Sequence, residues 1–141
     1  MRVLLDTNIL IDLIAQRPPF VKNAKAILKL CMEKQIDGCI AAHSVMNIFY
    51  ILRNDLTADE RKNVLTELCN FLTVVGIDKA KILFALANDD FPDVEDCLQT
   101  ECAKEFSADY IVTRNVKDFQ NSTIPAISPD EFLKKVNLTT I

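Results

Sequence analysis

The chain opens on a short apolar run, Val3-Leu4-Leu5, bounded by polar residues, which predicts a buried strand of a parallel sheet. Asp6, Thr7 and Asn8 follow and suit a helix start, after which Ile9, Leu10, Leu13 and Ile14 recur at helical spacing. Arg17-Pro18-Pro19-Phe20 breaks the pattern. Val21 to Lys34 then reads as a helix with Ala24, Ile27, Leu28 and Cys31 on one face. Asp37-Gly38 reads as a turn and Cys39 to Ala42 as a second strand. His43 or Ser44 is the expected cap of the next helix, whose buried stripe is Val45, Ile48, Phe49 and Leu52.

Thr57 to Glu60 has the form of a capping box and predicts a helix to about Asn70. Phe71 to Val75 reads as the third strand, ended by Gly76. Asp78 caps a helix carrying Ile82, Leu83 and Leu86. Asn88 to Pro92 is a polar loop, Asp93 to Phe106 a helix, and Tyr110-Ile111-Val112 a fourth strand running into Thr113-Arg114-Asn115. Ile124 to Ile127 reads as a short edge strand, since Pro125 is tolerated only there. Ser128-Pro129-Asp130-Glu131 is a second capping box, with proline at the first helical position, and opens a C-terminal helix. Strands alternate with helices throughout. The predicted fold is therefore α/β, a three-layer α/β/α sandwich around a central parallel sheet.

Length and composition narrow the picture. The 141 residues make one ordinary domain, 1–141, and half of them are hydrophobic, which predicts a globular core rather than disorder. Two glycines are too few for a glycine-rich phosphate loop or for an all-β fold rich in tight turns. A net charge of −4 excludes gripping nucleic acid by bulk charge, so any such partner needs bound cations or a local basic patch. Five cysteines, an odd number without CxxC or Cys/His spacing, read as reduced, mostly buried thiols of a cytoplasmic protein. The charged start is too short for a signal peptide, and no run approaches the roughly 20 apolar residues of a membrane span.

The candidate chemistry lies at strand ends. Asp6 follows the first strand. Asp93 and Asp96 stand three apart in the first turn of a helix and share a face. Asn115 and Asp118 follow the fourth strand. If the first and fourth strands are neighbours, these groups meet at the C-terminal edge of the sheet, where ligands of open α/β sheets bind. Clustered carboxylates stay ionised most easily around a cation, and oxygen-only ligands suit Mg²⁺ or Mn²⁺. Asp96 apart, the acids also have plainer roles: Asp6 as a helix cap, Asp93 and Glu95 as complements to a helix dipole, Asp118 as a solvated loop charge. Asp96 has none, being an acid just inside a helix beside Cys97 and Leu98.

VLLDTNIL at the N-terminus, DVEDCLQ at 93–99 and DYIVTRNVKDF at 109–119 occur in this order along the chain, followed by IPAISPDEFL. Together they resemble the PIN-domain family, in particular its VapC-like bacterial members. The resemblance implies a metal-dependent ribonuclease, the toxin of a toxin–antitoxin pair, with Mg²⁺ or Mn²⁺ as cofactor, RNA as substrate and a cognate antitoxin as partner. It assigns metal binding and catalysis to Asp6, Asp96 and Asp118. Asn115 stands where many members carry an acid, and Asp118 is the neighbour that would take its place. Asn8 and Thr113 would orient the cluster, with Asp93 and Arg114 in support. The family's remaining acid corresponds to Asn47.

With Asn47 and Asn115 both neutral, the site carries fewer charges than the family's, and charge count tunes divalent affinity. Two readings stay open: a working endoribonuclease, or a catalytically weakened module that binds RNA or a protein. A phosphoacceptor receiver domain ranks last, because Asp6 stands alone where that class needs an acidic pair, and Arg114-Asn115 replaces the lysine pattern it needs after a late strand. His43, the single histidine, is expected to help cap a helix. Arg114 is expected to touch a phosphate or to pair with Asp118 or Asp93. Arg53, Arg61, Lys62, Lys79 and Lys81 read as solvated helix faces, and Phe49 and Tyr50 as core or a contact with a second copy in a homodimer.

Overall fold

The structure, a computed structural model, describes residues 1–139. In chain order the elements are β1 (Arg2–Leu5), α1 (Thr7–Ile14), α2 (Val21–Met32), β2 (Asp37–Ala41), α3 (Ala42–Ile51), α4 (Ala58–Phe71), β3 (Thr73–Val75), α5 (Lys79–Ala87), α6 (Val94–Glu105), β4 (Tyr110–Val112), β5 (Ala126–Ile127) and α7 (Pro129–Thr139). Short 3₁₀ turns cover Leu52–Asn54 and Val116–Phe119. All strand pairs are parallel, in the order β3-β2-β1-β4-β5. β1 is thus the central strand, and β4 is its direct neighbour, with Leu5 opposite Val112.

Helices cover both faces, because the strand residues are apolar on both. Val3 and Leu5 point into one core with residues of α1, α2, α3, α4 and α7, among them Ile27, Ile48, Leu68 and Phe132. Leu4, between them, points into the opposite core with Cys39, Cys102, Phe106 and Ile111, under α6. The three-layer parallel sandwich is the fold that the alternating pattern predicts.

The caps act as read for α4 and α5. Thr57 and Glu60 form the reciprocal capping box, and the Asp78 carboxylate accepts the Lys81 N–H at 2.9 Å. The Ser128 hydroxyl accepts the Glu131 N–H at 3.2 Å. Three other expectations are corrected. Asp37-Gly38 belongs to β2 and is no turn: Gly38 pairs with Val3, and a Cβ there would lie 2.7 Å from Cys31 Sγ and 2.8 Å from Leu72 Cδ2. The glycine is needed for close packing, not for a bend. α3 begins directly at Ala42 with extended Ala41 as its cap, so neither His43 nor Ser44 caps it. Tyr50 is exposed, so of its two expected roles the contact with a second copy stays open, and Ala85 is the buried residue of α5. Arg61 is not simply solvated, since it lies over the Phe49 ring and donates to the Phe49 carbonyl at 2.7 Å.

Cys31, Cys39, Cys97 and Cys102 are buried and Cys69 is exposed, and all five are free thiols. Among the described residues no helix is long and apolar enough to cross a membrane.

Candidate metal centre at the C-terminal sheet edge

Asp6 ends the central strand and begins α1, so one residue both terminates a buried strand and caps a helix. Its N–H still belongs to the sheet, donating to the Val112 carbonyl at 3.0 Å. Its carboxylate is 7% exposed and is held by four donors. Oδ1 accepts from the Thr7 N–H at 2.7 Å and from Gln99 Nε2 at 3.0 Å. Oδ2 accepts from the Thr113 hydroxyl at 2.7 Å and from Asn8 Nδ2 at 3.2 Å. Burial pushes the Asp6 pKa up, the Thr113 and Thr7 bonds pull it back, and the nearby charges of Asp118 and Arg114 act in opposite senses.

β4 supplies the other wall. The fully buried Thr113 accepts the Asn115 N–H at 2.9 Å, and the Arg114 N–H reaches Asn8 Oδ1 at 3.4 Å. Asn8 therefore bridges Asp6 to the strand end that follows it in space, 106 residues later. The chain then turns through Val116–Phe119, which carries exposed Asp118, its N–H bonded to the Asn115 carbonyl at 3.0 Å.

α6 brings the third acid. Asp93 is its cap, accepting the Glu95 N–H at 2.8 Å. Asp96, one turn inside, is half-buried. Its carboxyl is pushed up to about 7, first by burial and then by the charges of Asp6, Asp93, Asp118 and Glu95. Asp6, Asp96 and Asp118 are thus one electrostatic cluster. Among the described residues, however, no three His, Cys, Asp or Glu side chains stand close enough to hold a metal ion as they are placed. By donor chemistry the cluster fits a hard divalent cation, since its acids are carboxylates and its orienting groups an amide and a hydroxyl.

Asn47 makes no hydrogen bond to this cluster among the described residues. The α3 residue that reaches it is Ser44, fully buried, whose hydroxyl accepts from Thr7 Oγ1 at 2.9 Å and from Gln99 Nε2 at 3.1 Å. Gln99, one turn after Asp96 on the same helix face, donates to Asp6, Thr7 and Ser44 and leaves its buried Oε1 without a partner. Arg114 pairs with neither Asp118 nor Asp93. Its Nε and Nη2 bind the two oxygens of Asp12 at 2.6 and 3.1 Å, and Asp12 is 1% exposed. Ser44, Gln99 and Asp12 are the site residues that sequence reasoning misses. Burial lowers the pKa of His43, against the opposing charges of Glu95 and Asp93, and favours its neutral ring.

The PIN domain family matches residues 2–117 of this chain. The VapBC2 structure from Rickettsia felis, bound to a DNA fragment from its promoter, is 18% identical with a TM-score of 0.66 and covers 91% of this chain and 98% of its own. A toxin–antitoxin complex from Klebsiella pneumoniae is 22% identical with a TM-score of 0.66, over 90% of this chain and 97% of its own. FitAcB from Neisseria gonorrhoeae is 20% identical with a TM-score of 0.63, over the same shares. At these identities the likeness is one of fold. No curated protein matches the sequence. A five-stranded parallel sheet of this order, with DTN after its first strand and TRN after its fourth, and a family match over most of the length make this chain a member of the PIN domain family.

Proposed function

We propose that the chain is a Mg²⁺- or Mn²⁺-dependent endoribonuclease, the toxin of a toxin–antitoxin pair, with Asp6, Asp96 and Asp118 holding the ion. The observation that carries this reading is the gathering of Asp6, Asp96 and Asp118 at one edge of the sheet, with Asp96 half-buried among the charges of Asp6, Asp93 and Asp118. The Asp96 carboxyl is pushed up to about 7, first by burial and then by the surrounding acids at the sheet edge, an arrangement that costs stability unless a cation joins it. A divalent ion there supplies charge neutralisation on a phosphodiester and acidifies an attacking water. The protein's part is orientation. Thr113, Asn8 and Gln99 fix both Asp6 oxygens, so Asp6 cannot turn away, while Asp96 and the exposed Asp118 remain free to swing toward the ion. Asn115 and Asp93 line the same edge.

The partner side rests on the similar solved structures, which are toxin–antitoxin complexes. An antitoxin or a second copy is what the exposed apolar residues Met46, Tyr50, Leu83 and Leu86 on α3 and α5 call for. The same reading takes residues 1–141 as one PIN-like domain working in the cytoplasm, where free thiols persist. Cleavage of single-stranded RNA in Mn²⁺, abolished by EDTA and by Asp6→Asn or Asp96→Asn, is the expected result. Full activity in either variant contradicts the assignment.

A second reading is a binding module with a decayed site. The neutral Asn47 and Asn115, and the absence of three ligating acids in contact among the described residues, favour it. Calorimetric titration separates the two. No heat at millimolar Mn²⁺ supports the module, and nuclease activity gained by Asn47→Glu supports decay.

A further inference from the structure

A groove of about 480 Å³ opens between the α1–α2 connection and the start of α7, walled by Pro19, Phe20, Asn23, Arg114, Pro129 and Asp130. That lies within the ~300–1,000 Å³ of ordinary ligand clefts. Inside it, Arg114 Cζ stands 4.1 Å from the centroid of the Phe20 ring, so guanidinium and ring form one stacked layer. The layer is rigid because Asp12 clamps the guanidinium through Nε and Nη2. Phe20 is nevertheless 41% exposed. A large aromatic fixed from behind and left open in front is poor design for a solvated loop and good design for a stacking platform. At its rim stand the exposed Asp130, whose carboxylate pairs through Oδ2 with Lys134 at 3.2 Å, and the half-buried Asn23, whose amide makes no hydrogen bond among the described residues.

Arg114 also lines a second cleft, of about 420 Å³, with Asn115, Lys117 and Asp118. The groove and the candidate metal centre therefore share a wall, and both cations of that second cleft suit a phosphate chain running between them.

We propose that this groove is a nucleobase subsite. A base of the RNA strand, next to the phosphodiester held at the acidic cluster, stacks on Phe20. Asn23 and Asp130 meet its hydrogen-bonding edge, and Arg114 and Lys117 face the backbone. The identity of the strand rests on the ribonuclease reading above. A protein segment is the competing occupant. A flat cation–aromatic layer with an amide and a carboxylate at its rim fits a planar, hydrogen-bonding ring better than an aliphatic side chain.

The chain contains no tryptophan, so Phe20→Trp introduces a single indole at the platform. In EDTA, short single-stranded RNA is titrated against this variant, with emission recorded, and a labelled copy is titrated against wild type, Phe20→Trp and Phe20→Ala with polarisation recorded. The subsite predicts wild-type affinity and saturable quenching in Phe20→Trp, and a Kd raised roughly ten-fold in Phe20→Ala. Equal affinity in Phe20→Ala overturns it. So does emission that stays unmoved as RNA binds, which leaves the groove to a protein segment, or equal quenching by inorganic phosphate alone, which assigns the signal to Arg114. The two readings fail separately. Cleavage in Mn²⁺ with unchanged affinity in Phe20→Ala sinks the subsite and keeps the nuclease. Affinity lost in Phe20→Ala without cleavage by wild type keeps the subsite and sinks the nuclease.

Discussion

The Thr113 hydroxyl donates to Asp6 Oδ2 at 2.7 Å, tying the ends of two adjacent parallel strands whose residues lie 107 positions apart in sequence. The same oxygen accepts the Asn115 N–H, so one buried hydroxyl serves the acid and shapes the turn toward Asp118. Replacing it with a methyl keeps the volume and leaves a buried carboxylate short of a donor. Thr113→Val should cost about 1–3 kcal/mol in urea unfolding, and Thr113→Ser should restore most of it. At the proposed metal site, Thr113→Val also weakens Mn²⁺ binding by about 10–100-fold in calorimetry, as loss of a group that orients a ligand does.

Arg114 and Asp12 form a two-point ion pair in which the acid is 1% exposed and the arginine side chain 26%. Removing only the cation strands a buried charge. Arg114→Met should destabilise by about 3 kcal/mol, the low end for buried pairs because the arginine is partly solvated. The double variant Asp12→Leu/Arg114→Met should regain much of that loss. Denaturant midpoints of the two variants check the difference, and a double variant no better than the single contradicts it.

Asp96 links stability to pH. Its carboxyl titrates at about 7 in the folded chain against an ordinary value of 3.8, because burial and four neighbouring acids disfavour its charge. The folded state thus holds the proton more tightly than the unfolded state. The associated stability is present below about pH 4 and is lost as pH rises toward about 7. Asp96→Asn should therefore raise Tm in EDTA at about pH 8 and leave it nearly unchanged at about pH 4. An equal gain at both pH values would show that the acids are not the cause.

Most of the fold was legible because it is written in local signals. Val3-Leu4-Leu5, Cys39-Ile40-Ala41 and Tyr110-Ile111-Val112 are apolar on both faces, as only buried parallel strands are. Thr57 with Glu60, and Asp78, are caps that depend on neighbours three residues away. Gly38 misled for a physical reason: Asp-Gly signals a turn locally, but the glycine answers Cys31 and Leu72, which approach from distant elements. At the site, acids at strand ends could be read and their support could not. Gln99 meets Asp6 across 93 residues and Ser44 across 55, and Asp12 meets Arg114 across 102. Each sits in an otherwise apolar stripe, where a polar residue gives no sign of its partner. Gln99 alone had a cue, one turn beyond Asp96 on the same face.

The most direct measurement is a crystal of the protein grown with Mn²⁺ and recorded at the manganese absorption edge. The account predicts one anomalous peak with oxygen ligands from Asp6, Asp96 and Asp118, reached by rotation of the last two side chains while Asp6 keeps its bonds to Thr113 and Gln99. No peak at the C-terminal edge of β1 and β4, or a peak that leaves Asp96 or Asp118 unligated, would contradict it.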